Sequence, residues 1–266
     1  MKIYIMTDLE GVGGVVNKSQ VFAGSVAYEK ACERLTLEVN AAVEGALAAG
    51  ADEIVVVDGH GANSAVNLIY DKLHPGAVYI QGVPWTTYPQ DLDETYDAVF
   101  QIGAHAMAGT PGAVLEHTMS SEHWVEMRIN GKPMGEIGLI AACAGVYDVP
   151  FVMVSGCDKA CAEARALVPE VECAVVKYGI TRHCARVLPH AVVLDLIRQK
   201  AGEAVKKARS VAPFKVEGPV AVEIDYLRND MADMVKERLG VEKIGPRTVR
   251  FTGRDIIEAY ARVRGA

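Results

Sequence analysis

The chain has 266 residues, of which 34 are acidic and 27 are basic, so its formal net charge is −7. Half of the residues are hydrophobic and 23% are charged, a composition that excludes an intrinsically disordered chain. The acidic balance, without a basic block, argues against a nucleic-acid-binding protein. The length suffices for one large domain, or for a main domain with a smaller second one.

The N-terminus and the apolar runs predict a cytoplasmic protein without a membrane partner. No apolar run approaches the roughly 20 residues needed to span a bilayer. Lys2 is followed by only four apolar residues before polar ones interrupt them, which is too short for a secretory signal. Free thiols are expected at all six cysteines, because no second cysteine pair or nearby histidine joins Cys157 and Cys161 in a tetrahedral set.

Short apolar runs alternate with longer helical stretches in chain order. The first apolar runs predict strands at 2–7, 53–58, 77–82, 98–103, 151–155 and 172–177. The helical patterns between them predict helices at 27–49, 65–73, 135–147, 158–168 and 189–208. Ser25 is the expected cap of the first helix and Gly50 its end. Asn130-Gly131 predicts a type I′ hairpin within 124–134.

This alternation predicts an α/β fold with a mostly parallel sheet flanked by helices. Residues 210–213 are the best candidate for a linker. We therefore predict a main α/β domain at 1–209, which carries the candidate site, and a smaller C-terminal α/β region at 210–266. That region is predicted to hold strands and helices at 220–224, 229–239, 248–251 and 255–262.

Three of the early predicted strands end in potential metal ligands. Asp8 and Glu10 follow the first strand, His60 follows the strand at 53–58, and His105 follows the strand at 98–103. Parallel strands present their carboxyl ends together, where ligands bind in open α/β sheets. Two neighbouring carboxylates repel each other unless a cation or a proton lies between them. These residues therefore predict a metal site.

Other interpretations fit these residues less well. Gly11, Gly13 and Gly14 weakly echo a dinucleotide loop, but two acids occupy the turn and repel a pyrophosphate. A phosphatase of the haloacid dehalogenase type needs a second aspartate where this chain has Glu10, and it leaves the histidines unused. Each candidate also has a structural explanation, as a solvated strand-end acid or a loop histidine.

An ordered set of motifs carries a specific family resemblance. The motifs are Asp8-Leu9-Glu10-Gly11, Asp58-Gly59-His60-Gly61, Gly103-Ala104-His105-Ala106-Met107, Glu116-His117-Thr118 and Gly135-Glu136. In this order they resemble the DppA-type D-aminopeptidases, zinc metallopeptidases of bacteria and archaea. The resemblance runs from the N-terminus through about Cys157, and the total length also fits.

The resemblance implies a site with two zinc ions. Asp8 corresponds to the carboxylate that bridges both metals. Glu10 and His60 correspond to ligands of one zinc, and His105 and Glu136 to ligands of the other. Zinc accepts such imidazole and carboxylate ligands, although manganese, iron and cobalt also suit them.

The resemblance also implies a catalytic residue and an assembly. His117 corresponds to a catalytic histidine that does not bind metal, and the family forms ring-shaped homodecamers whose sites face an inner chamber. Asp58 is a candidate for orienting a ligand histidine. The other histidines lack a strand-end setting and are expected at the surface or in packing: His74, His123, His183 and His190.

The expected function is that of a zinc-dependent aminopeptidase acting on short peptides, with D-amino-acid peptides such as D-Ala-D-Ala as substrates and a metal-activated bridging water as nucleophile. One alternative is another metal-dependent amidohydrolase on the same site. A second is a non-catalytic metal-binding assembly protein, although a purely structural site tends to be closed and needs no proton carrier such as His117. A small-molecule sensor has no supporting motif.

Overall fold

The computed structural model describes residues 1–61 and 64–265. Its strands are β1 (Lys2–Thr7), β2 (Glu53–Val57), β3 (Val78–Ile80), β4 (Ala98–Ala104), β5 (Trp124–Ile129), β6 (Lys132–Pro133), β7 (Phe151–Cys157), β8 (Glu172–Thr181), β9 (Cys184–Val187), β10 (Val220–Tyr226), β11 (Val241–Lys243) and β12 (Thr248–Gly253). Its α-helices are α1 (Val26–Ala48), α2 (Glu136–Val146), α3 (Asp158–Leu167), α4 (His190–Lys207), α5 (Asn229–Asp233) and α6 (Ile256–Arg264).

A seven-stranded sheet forms the centre of the molecule, in the order β3-β2-β1-β4-β7-β8-β9. Its pairs are parallel except for the antiparallel edge pair β8–β9. Every residue of β4 and β7 is buried, as expected for central strands of a parallel sheet that is covered on both faces. Because β2, β1 and β4 are neighbours and parallel, their carboxyl ends lie side by side at one edge of the sheet.

The helices flank this sheet in two pairs. Helix α1 packs along α4, and α4 contacts β7 and β8. Helix α2 packs against α3, and both contact β7. The α2 sequence is almost wholly apolar, which fits a helix whose residues from Ile137 to Gly145 are all buried.

A second sheet of five antiparallel strands has the order β11-β12-β10-β5-β6. Burial alternates along β10 and β12, so one face of this sheet packs inward, and α6 contacts both strands. The sheet takes β5 and β6 from the middle of the chain and β10 to β12 from its end. It therefore joins strands from both sides of residue 210, and the domain boundary at this position stays a prediction.

The predicted α/β fold with a mostly parallel sheet flanked by helices is confirmed. The side chain of Ser25 caps α1 by accepting a hydrogen bond from Tyr28 N. Asn130 and Gly131 have φ values of +49° and +78°, which the predicted type I′ turn requires. The short strands β9 and β11 were not predicted.

Two predicted helices are wrong in whole or in part. Instead of a helix at 65–73, the chain forms only a 3₁₀ turn at Tyr70–Lys72, because the Asp58 carboxylate accepts the backbone N–H groups of Asn67 and Leu68. The helix predicted at 229–239 ends at Asp233, since the chain then turns back between Arg238 and Val241, which exchange backbone hydrogen bonds.

All six cysteines are free, and five of them are buried, Cys184 being the exposed one. Among the residues that the structure describes, none of the helices combines the length and the apolarity that a membrane span requires.

Candidate metal centre

Neighbouring strand ends bring four predicted ligands together. Asp8 and Glu10 follow β1, His60 follows β2 and His105 follows β4. Glu136 joins them as the first residue of α2. This convergence follows from the strand order β2-β1-β4, which places residues about 100 positions apart at one edge of the sheet.

Asp8, Glu10 and His60 form one cluster, which we call the Asp8 group. One potential ligand atom from each of these buried side chains lies within 4.8 Å of the others. Glu10 Oε1 lies 3.3 Å from His60 Nε2. Asp8 Oδ1 accepts a hydrogen bond from Leu9 N at 2.8 Å, which turns Oδ2 toward the neighbouring histidine.

His105, His117 and Glu136 form a second cluster, which we call the His105 group, with the same 4.8 Å spacing. Glu136 Oε1 lies 3.2 Å from His105 Nε2 and 3.9 Å from His117 Nε2. The Oδ2 atom of Asp8 lies 3.4 Å from His105 Nε2. Asp8 therefore belongs to the first cluster and also touches the second.

Backbone contacts fix the orientation of both histidines in the His105 group. The Nδ1 atom of His105 lies 2.9 Å from the Ala106 carbonyl oxygen, and that of His117 lies 2.9 Å from the Leu115 carbonyl oxygen. Because a carbonyl only accepts, each Nδ1 carries the hydrogen. In the neutral form of each ring, the lone pair then lies on Nε2 and faces the acids, as in metal-binding and catalytic histidines.

Several polar atoms of the centre are buried without a hydrogen-bond partner. In the part of the chain that the structure describes, these include Asp8 Oδ2, Glu10 Oε2 and His105 Nε2. Buried polar atoms almost always have a partner, because an unpaired one loses its interaction with water. A divalent cation satisfies such acceptor atoms together, so the donor set and its unpaired atoms fit the metal ions that the sequence predicts.

Electrostatic interactions shift the pKa values of the Asp8 group in opposite directions. Burial and the nearby Glu10 carboxylate raise the pKa of Asp8 well above its usual range. Burial also acts to raise the pKa of Glu10, but the attraction of His60 outweighs it and holds that pKa well below its usual value. The same contact raises the pKa of His60 to about 9 against the opposing effect of burial. The two neighbouring carboxylates therefore favour a positive charge placed between them.

In the His105 group, Glu136 and His105 also shift each other's pKa values, whereas the pKa of His117 is lowered. Burial opposes the charged form of Glu136, yet His105 lowers the pKa of Glu136 to about 2. Glu136 and Asp8 in turn raise the pKa of His105 against its burial. For His117, burial comes first and the charge of His105 second, and both lower its pKa below the usual value. His117 is therefore neutral at pH 7.

A network behind the centre orients His60. The buried Asp58 carboxylate accepts hydrogen bonds from Asn67 N and Nδ2, both at 2.6 Å. Asn67 Nδ2 also donates to the His60 carbonyl, and Asn67 Oδ1 lies 3.3 Å from His60 Nδ1. Tyr28 adds a hydrogen bond to the same Oδ1 at 2.8 Å. Asp58 therefore supports His60 through Asn67.

Two buried ionisable side chains hold the loop after β1. Lys177, on β8, is fully buried and donates to the carbonyl oxygens of Glu10, Val12 and Val15. Glu38, on α1, is also fully buried and accepts a hydrogen bond from Gly13 N at 2.8 Å. Burial raises the pKa of Glu38 to about 7, so an amino group and a carboxyl group near neutrality bind the backbone of the segment that carries Glu10.

The backbones of the two ligand-bearing loops touch directly. Gly11 N donates to the Gly103 carbonyl at 2.7 Å. A Cβ atom on Gly11 would lie 2.0 Å from the Ala104 carbonyl oxygen, and one on Gly103 would lie 2.0 Å from the Asp8 carbonyl oxygen. Gly103 also has a φ of +82°, which glycine adopts without strain. Only glycine allows the loops after β1 and β4 to approach this closely.

The structure therefore brings together all six residues that the sequence analysis selected, while their individual roles stay predictions. Of the remaining histidines, His123 and His183 are exposed but line cavities beside the centre. Asn67, Glu38 and Lys177 were not predicted from the sequence. Asn67 fell within a wrongly predicted helix. The position of Lys177 at the end of an apolar strand is a sequence feature that could have indicated its role.

Fold and site together define an α/β protein with a buried carboxylate–histidine centre suited to divalent metal. The family model for the D-aminopeptidases of Peptidase M55 matches residues 1–264. The D-aminopeptidase of Bacillus subtilis (strain 168) is 35% identical over 264 residues, which cover 98% of this chain and 94% of the relative.

A solved structure agrees with this match. It is described as "Zn-dependent D-aminopeptidase DppA from Bacillus subtilis, a self-compartmentalizing protease", and it superposes with a TM-score of 0.94 at 33% identity, covering 100% of this chain and 96% of that chain. The chain belongs to the Peptidase M55 family of D-aminopeptidases, so the family resemblance predicted from the sequence is confirmed.

Proposed function

We propose that this chain is a zinc-dependent aminopeptidase that binds two zinc ions and removes the N-terminal residue of short D-amino-acid peptides such as D-Ala-D-Ala. The observation that carries the proposal is the position of Asp8, whose carboxylate belongs to the Asp8 group and also lies 3.4 Å from His105 Nε2. A shared carboxylate between two ligand clusters is the arrangement expected of a binuclear site.

In this proposal, Asp8 would be the ligand common to both zinc ions. Glu10 and His60 would hold one of them, and His105 and Glu136 would hold the other. Two such ions, when bound, supply an activated water and polarise the scissile carbonyl. The position of Glu136 at the N-terminus of α2 supports its role, since a helix N-terminus favours a carboxylate.

His117 moves the proton in this reaction. It lies farther from Glu136 than His105 does, 3.9 Å against 3.2 Å, which supports assigning the metal to His105 and the proton to His117. Its Nδ1 hydrogen is held by the Leu115 carbonyl, and its Nε2 is unprotonated at pH 7. That nitrogen accepts the proton of the attacking water and passes it to the leaving amine.

The cleft limits the size of the substrate. It has a volume of about 370 Å³ and is lined by members of both ligand groups and by the segment from Met119 to His123. A cavity of this size suits a short peptide rather than a folded chain. The preference for D-residues rests on the names of the family and of its Bacillus subtilis member.

Assembly is a further part of the proposal. The solved relative is described as self-compartmentalizing, which supports a closed assembly for this chain as well. We propose a homodecamer, in which access through an inner chamber excludes long substrates. Sedimentation velocity of the purified protein tests the number of subunits.

The decisive experiment combines metal content with turnover. Protein purified without added metal or chelator is assayed by elemental analysis, and D-Ala-D-Ala and L-Ala-L-Ala are offered to the same sample. About two zinc ions per chain and hydrolysis of the D-peptide support the proposal. Two zinc ions with hydrolysis of other amides only would favour a different amidohydrolase, and metal without any turnover would favour a non-catalytic metal-binding protein.

A further inference from the structure

We propose that Arg182, assisted by His183 and Lys18, forms a subsite for the C-terminal carboxylate of the substrate. This inference rests on the proposed function and narrows it to the shortest peptides with a free carboxyl end. The subsite occupies a side branch of the cleft, and none of the roles proposed above uses Arg182, His183 or Lys18.

The branch opens directly beside the reactive centre. It is a cavity of about 190 Å³ lined partly by Glu10, Phe22 and His117, which also line the larger cleft. A peptide whose scissile bond lies at His117 can therefore place its C-terminal end in the branch.

Charge is distributed unevenly over these two adjoining cavities. The larger cleft contains acids of the metal centre, including Asp8. The branch shares Glu10 with the cleft and adds Lys18, Arg182 and His183. A dipeptide has the matching polarity, because its free carboxylate lies on the far side of the scissile bond from its N-terminal residue. The cations Lys18 and Arg182 are thus placed for the carboxylate end.

Arg182 retains hydrogen-bond donors for such a ligand. Its Nη1 donates to the Glu116 carbonyl and pairs with Glu116 Oε1 at 2.7 Å. Among the described residues, its Nε and Nη2 atoms have no hydrogen-bond partner, and its side chain is 40% exposed. Adjacent guanidinium nitrogens match the two oxygens of a carboxylate, the geometry that makes arginine the preferred carboxylate-binding side chain.

Lys18 adds a mobile positive charge to the branch. It pairs with Glu122 at 3.1 Å, but both side chains are more than 60% exposed. Exposed pairs of this kind contribute little to stability, so the ammonium can turn to a carboxylate that enters the cavity.

The backbone couples the subsite to the reactive histidine. Leu115 N donates to the Arg182 carbonyl at 3.0 Å, while the Leu115 carbonyl holds His117 Nδ1. Arg182 and His117 are therefore both anchored to Leu115, so the subsite lies next to the reactive histidine. A carboxylate bound there belongs to a residue close to the scissile bond, which favours dipeptides over longer peptides.

The test compares D-Ala-D-Ala with its C-terminal amide, D-alanyl-D-alaninamide, which carries no carboxylate. The zinc-loaded wild type is expected to show a KM about 10-fold or more lower for the free acid, the effect of one charged hydrogen-bonded pair. Arg182→Met is expected to remove most of this difference, and Arg182→Lys to restore part of it. Arg186→Met, an exposed arginine of the same hairpin, is the matched control and should retain the wild-type ratio.

The outcomes separate the subsite from the proposed function. Equal KM values for the acid and the amide in the wild type would overturn the subsite alone. An equal loss for both substrates in Arg182→Met would also overturn it, because Arg182 would then only support the Glu116–His117 loop. No turnover of either peptide by zinc-loaded protein would overturn the proposed function together with the subsite.

Discussion

The imidazole rings of His105 and His117 stack with their centroids 4.0 Å apart and their planes within 11°. Each ring is anchored through Nδ1 to a backbone carbonyl, so both Nε2 atoms face the same acids. The stacking places two titratable rings in one electrostatic environment, yet their pKa values move apart. Burial acts to lower the pKa of His105, but the carboxylates of Glu136 and Asp8 outweigh it and raise that pKa, whereas burial and the charge of His105 lower the pKa of His117.

Replacement of His117 tests its role as the proton carrier. His117→Ala is expected to keep the wild-type metal content and to lower kcat by about 10²–10⁴-fold, the range found for general acid–base catalysts. Metal analysis and steady-state kinetics on one preparation measure both quantities. Full turnover in this variant would show that another group moves the proton.

The pH dependence of activity follows from the lowered pKa of His117. A base must be unprotonated to accept a proton, and a lowered pKa keeps it unprotonated to more acidic pH. We therefore expect the acid limb of kcat/KM to lie below the usual histidine value of about 6.5. The measurement is a pH profile of the wild type beside His117→Gln, in which this limb should disappear. A limb above pH 7 that survives in His117→Gln would contradict the assignment.

Removal of a ligand histidine should release metal from a defined part of the centre. His60→Ala and His105→Ala are each expected to lower the zinc content by about one ion per chain and to abolish turnover, because a two-metal mechanism needs both ions. Elemental analysis after gel filtration measures the loss. His74→Ala, before β3 and outside the cleft, is the control and should keep both metal and activity. Unchanged metal in either ligand variant would remove that residue from the proposed set.

The Asp58–Asn67–His60 network predicts an effect on metal affinity from a residue that binds no metal. Asn67→Leu removes the hydrogen bond from Asn67 Nδ2 to Asp58 and the contact with His60 Nδ1, and it keeps the backbone N–H donation to Asp58. Loss of such supporting partners costs about 10–100-fold in metal affinity. Competition with a chromogenic chelator measures this change. Asn40→Leu, which breaks a hydrogen bond to Lys72 away from the centre, serves as the comparison. Equal affinities in the two variants would mean that Asn67 only packs.

The buried Lys177 predicts coupled losses of stability and metal binding. Lys177→Met leaves the carbonyls of Glu10, Val12 and Val15 without their donor and Glu38 without its nearby cation. Breaking a buried charge arrangement of this kind costs about 3–5 kcal/mol. Denaturant unfolding of the metal-free protein measures the stability, and chelator competition measures the affinity for zinc. Val176→Ala on the same strand controls for core loss alone, so equal zinc affinity in both variants would argue against a positioning role for Lys177.

Much of the fold and of the site follows from local sequence. The alternation of apolar runs and helical stretches is enough to predict the parallel sheet, because each strand that is buried on both faces carries a continuous apolar segment. The strand-end positions of Asp8, His60 and His105 then place these side chains together without any knowledge of distances. Glu136 and His117 were selected through the family motifs, since neither follows a predicted strand.

The features that escaped prediction depend on contacts between distant residues. Asp58 overrides a helical pattern at 65–73 by accepting the N–H groups of Asn67 and Leu68, an interaction with no local signature. The pairing of β5 with β10 joins residues about 95 positions apart, which no periodicity encodes. Lys177 acts through three carbonyl oxygens, and backbone groups are the same in every sequence.

The contact between Gly11 and Gly103 has a consequence for how the centre can be changed. Because the loops meet backbone to backbone, the separation of the Asp8 group from the His105 group is set by main-chain atoms rather than by side-chain conformations. Replacement of ligand side chains can alter the charge of the centre and the kind of atom that binds the metal, but it leaves the backbone contact between the two loops in place. An engineer who wishes to fit a larger ion pair would have to redesign the two strand ends, and exchanging the ligands alone would fail.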